Sequence, residues 1–367
     1  MYEIPFFSVR DAPQELKDKW LDVMRDQIEL GELIGGSAVA NFEIEWSRFN
    51  KLNHSVGVGN GYDGLRLSLL ALGIGVGSKV AVPAHTFIAT WLAIQSVGAI
   101  PVGIDVDELG LIDLNQLENL EVNVDAVIPV HMHGTIVNMK RLSQWASSRG
   151  IFVIEDASQC HGESVFSLDR NYRGDLIVFS LYPTKNLGAL GDAGIVSTNN
   201  LTLAKVLQEL RDYGRENLNR NKMSRVGVNS RLDPIQARVL EVNLSILEDS
   251  NRHRKKIAQH YLSELAAIGV KPLHAKIENS VYHHFAILDS NRDALKIHLE
   301  NKGIQTEIHY LTTAASLFSQ ISKTNVKKYP TAERICQTTL SLPCNQWMSL
   351  DKADRVIQEI KNFFKNV

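Results

Sequence analysis

Between about residue 55 and residue 200, short runs of apolar and β-branched residues alternate with longer stretches whose apolar positions recur every three or four places. The short runs fall at 79–82, 100–106, 125–130, 151–155, 176–180 and 194–198. Such alternation predicts an α/β domain, a mostly parallel mixed sheet with helices on both faces. Asn138 supplies a cap for a helix with Met139, Leu142, Trp145 and Ala146 on one side, and Gly150 supplies its stop. Asp233 then Pro234 starts another helix, because a capping side chain precedes a residue whose missing N–H costs nothing in the first turn. That pattern runs through Leu240, Leu244 and Leu247 toward Gly269, longer than one ordinary helix, so a break is expected near Asp249 to Arg252. The remainder predicts a strand near 282–288, a helix after Asn291, a strand at 304–308 and an amphipathic helix over 350–364. A large domain over 1–240 and a smaller C-terminal α+β domain over 241–367 are expected.

One stretch, residues 80–104, carries no formal charge and is long enough to cross a bilayer. Pro83, His85, Gln95 and Pro101 divide it, so strand, helix, strand is the better reading. The first ten residues place Glu3 and Arg10 around a short apolar patch, which is not a secretory pattern. With 367 residues, 44% of them hydrophobic, the chain can fill a sizeable core, and two domains are the length-based expectation. Its 39 basic and 41 acidic residues nearly balance, which argues against a generic nucleic-acid or anionic-membrane surface. Cys160, Cys336 and Cys344 are too few and too unevenly spaced for a disulfide framework or a zinc pair, and a reducing cytoplasm fits them best.

Three segments carry candidate chemistry. Residues 56–64, VGVGNGYDG, read as a strand end turning into a helix near Asp63, a turn that can aim backbone N–H groups at a phosphate. Gly59, Gly61 and Gly64 also satisfy dinucleotide spacing, but no Asp or Glu lies between Asp63 and Asp105 to hold a ribose, which argues against NAD. A glycine-rich turn that binds nothing is the plain alternative. In VIEDASQCHG, an apolar strand delivers Asp156 at the edge where open α/β sheets bind ligands, with Gln159 three residues on. An Asp in that place is equally a helix cap. In FSLYPTKNLGALGDAG, a strand leaves Ser180 at its end and a loop then presents Lys185 among glycines. Most lysines are merely solvated, whereas one desolvated beside a ligand pocket becomes a nucleophilic amine. A phosphate cradle, a strand-end carboxylate, a hydroxyl and such an amine together meet the needs of pyridoxal phosphate. His131 and His133 alternate along a strand-like run without a third ligand, so no metal is expected.

These blocks, together with residues 60–105, PVHMHG, RDYG and NSRLDPIQARVL, make the chain resemble the DegT/StrS-type sugar aminotransferases, a branch of the fold-type I pyridoxal 5′-phosphate enzymes. The likeness extends over nearly the whole chain. It implies Lys185 as the residue that condenses with the cofactor aldehyde, Asp156 as partner of the ring nitrogen, Gln159 at the ring hydroxyl and Phe87 stacked on the ring. It also implies that Asn60, Gly61 and Tyr62 bind the phosphate with help from Ser180. Asn229 matches a residue that relatives extend to the neighbouring subunit's phosphate, which implies a homodimer with shared sites. His85, His133, Tyr182, His309 and Tyr310 are the expected substrate contacts, although His85 and His133 read equally well as interior histidines.

By the same resemblance the reaction is transamination from L-glutamate to a ketone on a nucleotide-linked sugar, with the Lys185 amine moving the proton. A dehydratase branch carries His where this chain has Lys185. HTFIATWLA and NSRLDPIQ look like members that aminate C3 of thymidine-diphosphate-linked 3-keto-6-deoxyhexoses, a step toward lipopolysaccharide, S-layer or antibiotic glycans; a 4-keto sugar is the alternative. After His309-Tyr310 the chain reads LTTAASLFSQ where relatives carry prolines and a histidine, so Ala315 stands where a substrate-binding histidine is expected. A non-enzymatic regulatory role is the competing reading, but no DNA-binding helical module is appended.

Overall fold

The computed structural model describes residues 2–162, 172–216, 219–274, 278, 280–323 and 327–365. Seven strands form its main sheet: β1 (His54–Val58), β2 (Lys79–Pro83), β3 (Ile100–Ile104), β4 (Ala126–Val127), β5 (Phe152–Asp156), β6 (Leu176–Ser180) and β7 (Gly194–Thr198). They lie in the order β1-β7-β6-β5-β4-β2-β3. Pairing is parallel from β6 across to β3 and antiparallel on both sides of β7, the mostly parallel mixed sheet that the alternation predicts.

Both faces of the sheet are covered, which is why its strands read as continuous apolar runs. Val80, Val82, Val178 and Val196 point to one face and pack with Leu65 and Leu69. Ala81, Val127 and Val153 point to the other, against Leu142 and Trp145, while Ile177, Phe179 and Ile195 meet Phe42 and Trp46 there. The uncharged stretch 80–104 resolves into β2, the helix Ile88–Ser96 and β3. No helix among the described residues is long and apolar enough to cross a membrane.

Local signals place most helices. Asn138 accepts from the Arg141 amide and caps the helix Met139–Ser147. The helix Pro234–Leu244 starts after Asp233, although the Asp233 side chain makes no cap bond. The break in the following run falls at Ser245 and Ile246, ahead of the expected place, and the chain resumes as the helix Leu247–Ala266. Buried Leu247 has to turn into the core with Leu240, whereas Asp249 and Arg252 form a surface ion pair one turn apart within the second helix.

The C-terminal part builds an antiparallel sheet from Lys271–Pro272, Phe285–Leu288 and Thr339–Leu342. Its middle strand is shorter than the expected 282–288 because Tyr282 takes a left-handed backbone, φ 44°. The strand expected at 304–308 is replaced by two isolated bridges, Ile304 to Ile4 and Glu307 to Ser341, so each end of that segment has a different neighbour. Ile257, Tyr261, Phe285, Leu340, Val356 and Ile360 form a separate core with the helix Leu350–Lys365. Cys160, Cys336 and Cys344 are free and buried.

Candidate active site

The C-terminal ends of β2, β5 and β6 open into one cavity of about 700 Å³, the sheet edge at which α/β folds bind ligands. Asn60, Gly61, Tyr62, Phe87, Asp156, Gln159, Ser180, Tyr182, Lys185, His309 and Tyr310 all line it, bringing together sequence-predicted residues from five separate stretches.

One corner is an anion cradle. The Asn60 side chain accepts from the Asp63 amide at 2.8 Å and so caps the helix Gly61–Ala71. The Gly61 and Tyr62 amides keep no partner among the described residues, and they stand at the positive end of that helix. Ser180 closes the corner: a Cβ on Gly61 would lie 2.8 Å from the Ser180 Cβ, so only glycine lets the turn approach β6 this closely. Gly194 is required from behind, since a Cβ there would lie 2.5 Å from the Asn60 carbonyl carbon. These donors and this clearance suit a phosphate group.

Asp156 ends β5, buried and acceptor-only in its contacts. Thr90 Oγ1 donates to its Oδ2 at 3.0 Å, the Ser158 amide donates to Oδ1 at 3.2 Å, and Thr86 and Thr90 share a hydroxyl bond at 3.1 Å. Both contacts use the carboxylate as an acceptor, and it faces the cavity where it can also accept from a protonated ring nitrogen. Behind it, fully buried His131 and Glu155 bond at 2.9 Å. Gln159 accepts from the His133 amide at 2.6 Å and reaches the Tyr310 hydroxyl at 3.3 Å. Phe87 remains 55% exposed at the mouth, its ring 5.8 Å from that of Tyr310, an open aromatic face for a flat ligand.

Lys185 is half-buried in a turn whose amide donates to the Tyr182 carbonyl at 2.9 Å. The next residue, Asn186, anchors the turn by donating to Asn251 and to the Val281 carbonyl. Desolvation lowers the amine's pKa from 10.5 to about 8, against an opposing pull from Asp156. The neutral amine is the nucleophile, so capture of pyridoxal phosphate by apoprotein is expected to accelerate about tenfold per pH unit below this value and level off above it. Stopped-flow capture rates against pH check this; a rise continuing to the ordinary lysine range contradicts it.

Three expected contacts lie elsewhere. His85 and His133 are fully buried and stand one layer behind the lining, their rings 6.1 Å from Tyr310 and 5.4 Å from His284 respectively. Asn229 is exposed and paired by a bridge to Asp212, away from this chain's own cavity. Ala315 does not face the cavity: it lies in the helix Ala314–Ser322, capped by Thr313, and joins the core cluster that contains Trp91. The cavity also takes Thr86, Thr90, Ser158, Thr184, Asp192, His283 and His284, which sequence reasoning missed. Thr90 sits one helical turn from Thr86, a usable signal; the His283-His284 pair lies in a strand-like run that conceals its role. Among the described residues no cluster of His, Cys, Asp or Glu is placed to hold a metal ion.

A strand-edge cavity with an anion cradle, a buried carboxylate and an amine of lowered pKa defines an aminotransferase of the pyridoxal-phosphate class. A family model described as the DegT/DnrJ/EryC1/StrS aminotransferase family matches residues 14–361, and the chain belongs to that family, whose members use pyridoxal 5′-phosphate. It is 36% identical to the erythromycin biosynthesis sensory transduction protein EryC1 of Saccharopolyspora erythraea, over 98% of this chain and 99% of that one. It is 35% identical to the dTDP-3-amino-3,4,6-trideoxy-alpha-D-glucose transaminase of Streptomyces venezuelae, over 99% and 97%. The crystal structure of S. venezuelae DesV superposes over 100% of both chains with a TM-score of 0.92 at 33% identity.

Proposed function

We propose that this aminotransferase moves an amino group from L-glutamate to C3 of a dTDP-linked 3-keto-6-deoxyhexose. The observation that carries the reading is the placement of the Lys185 amine, the Asp156 carboxylate and the Gly61 cradle around one cavity, in a chain similar to a dTDP-3-amino-sugar transaminase over its whole length. When bound, pyridoxal phosphate supplies an aldehyde that condenses with amines and a protonated ring that takes up the electron pair left when a C–H bond breaks. Asp156 keeps the proton on the ring nitrogen. The Gly61 and Tyr62 amides, Asn60 and Ser180 would hold the phosphate, with Phe87 offering a face to the ring and Gln159 an amide to the ring hydroxyl. Lys185 would take the α-proton and return it, a role suited to an amine whose pKa is lowered to about 8.

Asn229, exposed on its loop, is proposed to reach the phosphate of a second copy in a homodimer. A division into a cofactor domain over 1–240 and a small domain over 241–367 is supported by the separate C-terminal core. Three free thiols fit a reducing cytoplasm. One relative bears a sensory name, but this site keeps the amine and carboxylate that turnover requires.

The test is the reverse half-reaction. Holoenzyme is offered dTDP-linked 3-amino-3,6-dideoxyhexose or the matched 4-amino sugar, and the cofactor absorbance is followed. Conversion by the 3-amino sugar at least about tenfold faster is expected, a preference worth about 1.4 kcal/mol; faster conversion by the 4-amino sugar contradicts the C3 assignment.

A further inference from the structure

Three imidazoles, His283, His284 and His309, share one wall of the cavity, and each is tied inward by its Nδ1. His283 bonds to Asn186 Oδ1 at 3.1 Å, His284 to His133 Nδ1 at 3.2 Å and His309 to Ser341 Oγ at 3.0 Å. For His283 the hydrogen positions follow from the network behind it. A backbone carbonyl only accepts, so the bond from Asn251 to the His161 carbonyl, 2.8 Å, fixes the Asn251 amide nitrogen on that side. Asn251 Oδ1 then accepts from Asn186 Nδ2 at 2.8 Å, and the same nitrogen donates to the Val281 carbonyl at 3.0 Å. Asn186 therefore turns its oxygen toward His283, and His283 Nδ1 has to be the donor.

Burial among Lys185, Arg254 and neighbouring histidines holds His283 well below the ordinary imidazole pKa, so it is neutral and carries a single N–H. With that hydrogen on Nδ1, Nε2 bears the lone pair, and the hydrogen bond that the ring makes among the described residues runs through Nδ1. Asn186, Asn251 and His283 are at most 5% exposed, so the arrangement is rigid. A fixed neutral acceptor suits a hydroxyl and repels a carboxylate. Among the described residues that line the cavity, Lys185 is the one cation.

We infer that His283 is a specificity residue whose Nε2 accepts a hydrogen bond from a ring hydroxyl of the sugar substrate, with Asn186 and Asn251 as positioning residues that set its tautomer. The inference rests on the sugar-aminotransferase reading and deepens it. It distinguishes the two substrates that share the site: the sugar brings hydroxyl donors, whereas glutamate brings carboxylates that only accept.

The experiment compares the two cofactor half-reactions in holoenzyme, one with L-glutamate and one with dTDP-3-amino-3,6-dideoxygalactose. His283→Phe is expected to raise half-saturation for the amino sugar about five- to tenfold more than for glutamate, the size of one lost neutral hydrogen bond. His283→Gln, whose amide oxygen can accept, is expected to recover most of that difference. An equal effect on both substrates, or none, with the cofactor spectrum intact, overturns the inference. Ring ¹⁵N shifts of histidine-labelled holoenzyme, with the His283→Gln variant identifying the resonance, should report the Nδ1–H tautomer; an Nε2–H tautomer overturns the inference while leaving the transaminase reading in place. Wild-type enzyme that converts with glutamate but with no dTDP-amino sugar overturns both.

Discussion

Replacing Lys185 with alanine is expected to lower amino transfer about ten-thousandfold or more while leaving the fold unchanged. Among the described residues the side chain contributes no hydrogen bond that holds the turn together; Asn186 and the Lys185 backbone amide do that. Burying its amine is unfavourable, as the fall in its pKa to about 8 shows, so alanine costs the native state little. On the proposed assignment, what disappears is the nucleophile that receives the cofactor and the base that moves the α-proton, and among the described residues no second amine lines the cavity. Arginine does not restore function, because its guanidinium stays charged and cannot act as either. Single-turnover absorbance with glutamate, alongside a thermal melt, checks this. Activity within tenfold of wild type would show that another group performs the chemistry.

The second large effect is expected at Asp156. Asp156→Asn keeps the shape but removes the negative charge and places an NH₂ group where two donors already point. The Ser158 amide can keep the remaining oxygen, while the new NH₂ meets Thr90 Oγ1, which can accept by donating to Thr86 instead, so both contacts survive with one reversed. The stability loss is expected to be about 1 kcal/mol or less. The kinetic loss is larger, on the order of a thousandfold, because a neutral amide cannot keep the ring nitrogen protonated and electron withdrawal weakens. Thr90→Val leaves the charge in place and removes one donor, so its effect is expected to be far smaller. Steady-state rates with melting curves separate the two contributions: a rate loss no greater than that of Thr90→Val contradicts the assigned role.

The parts of this site that chain order exposes are those carried by local chemistry. Asp156 and Ser180 end apolar strands, and Asn60 precedes a helix whose first turn carries two glycines, so each is readable from its neighbours. The histidine wall is different. His283 and His284 arrive from the C-terminal sheet, His309 from a segment held by isolated bridges, and their supports Asn186 and Asn251 from two other places. No spacing links them, and only the packing of the C-terminal elements on the main sheet brings them together. His133 shows the converse: it looks like a pocket residue in PVHMHG, yet its left-handed backbone, φ 57°, sits one layer inside the lining. In the fold, the misplaced helix break follows from Leu247 seeking the core, a tertiary demand that outweighs the charged run Asp249 to Arg252.

The most direct measurement is borohydride reduction of the holoenzyme followed by peptide mass spectrometry. The account predicts a pyridoxyl group covalently fixed to the peptide that contains Lys185, and its loss in Lys185→Ala. A label on any other lysine, or cofactor released unbound by wild-type protein after reduction, would contradict it.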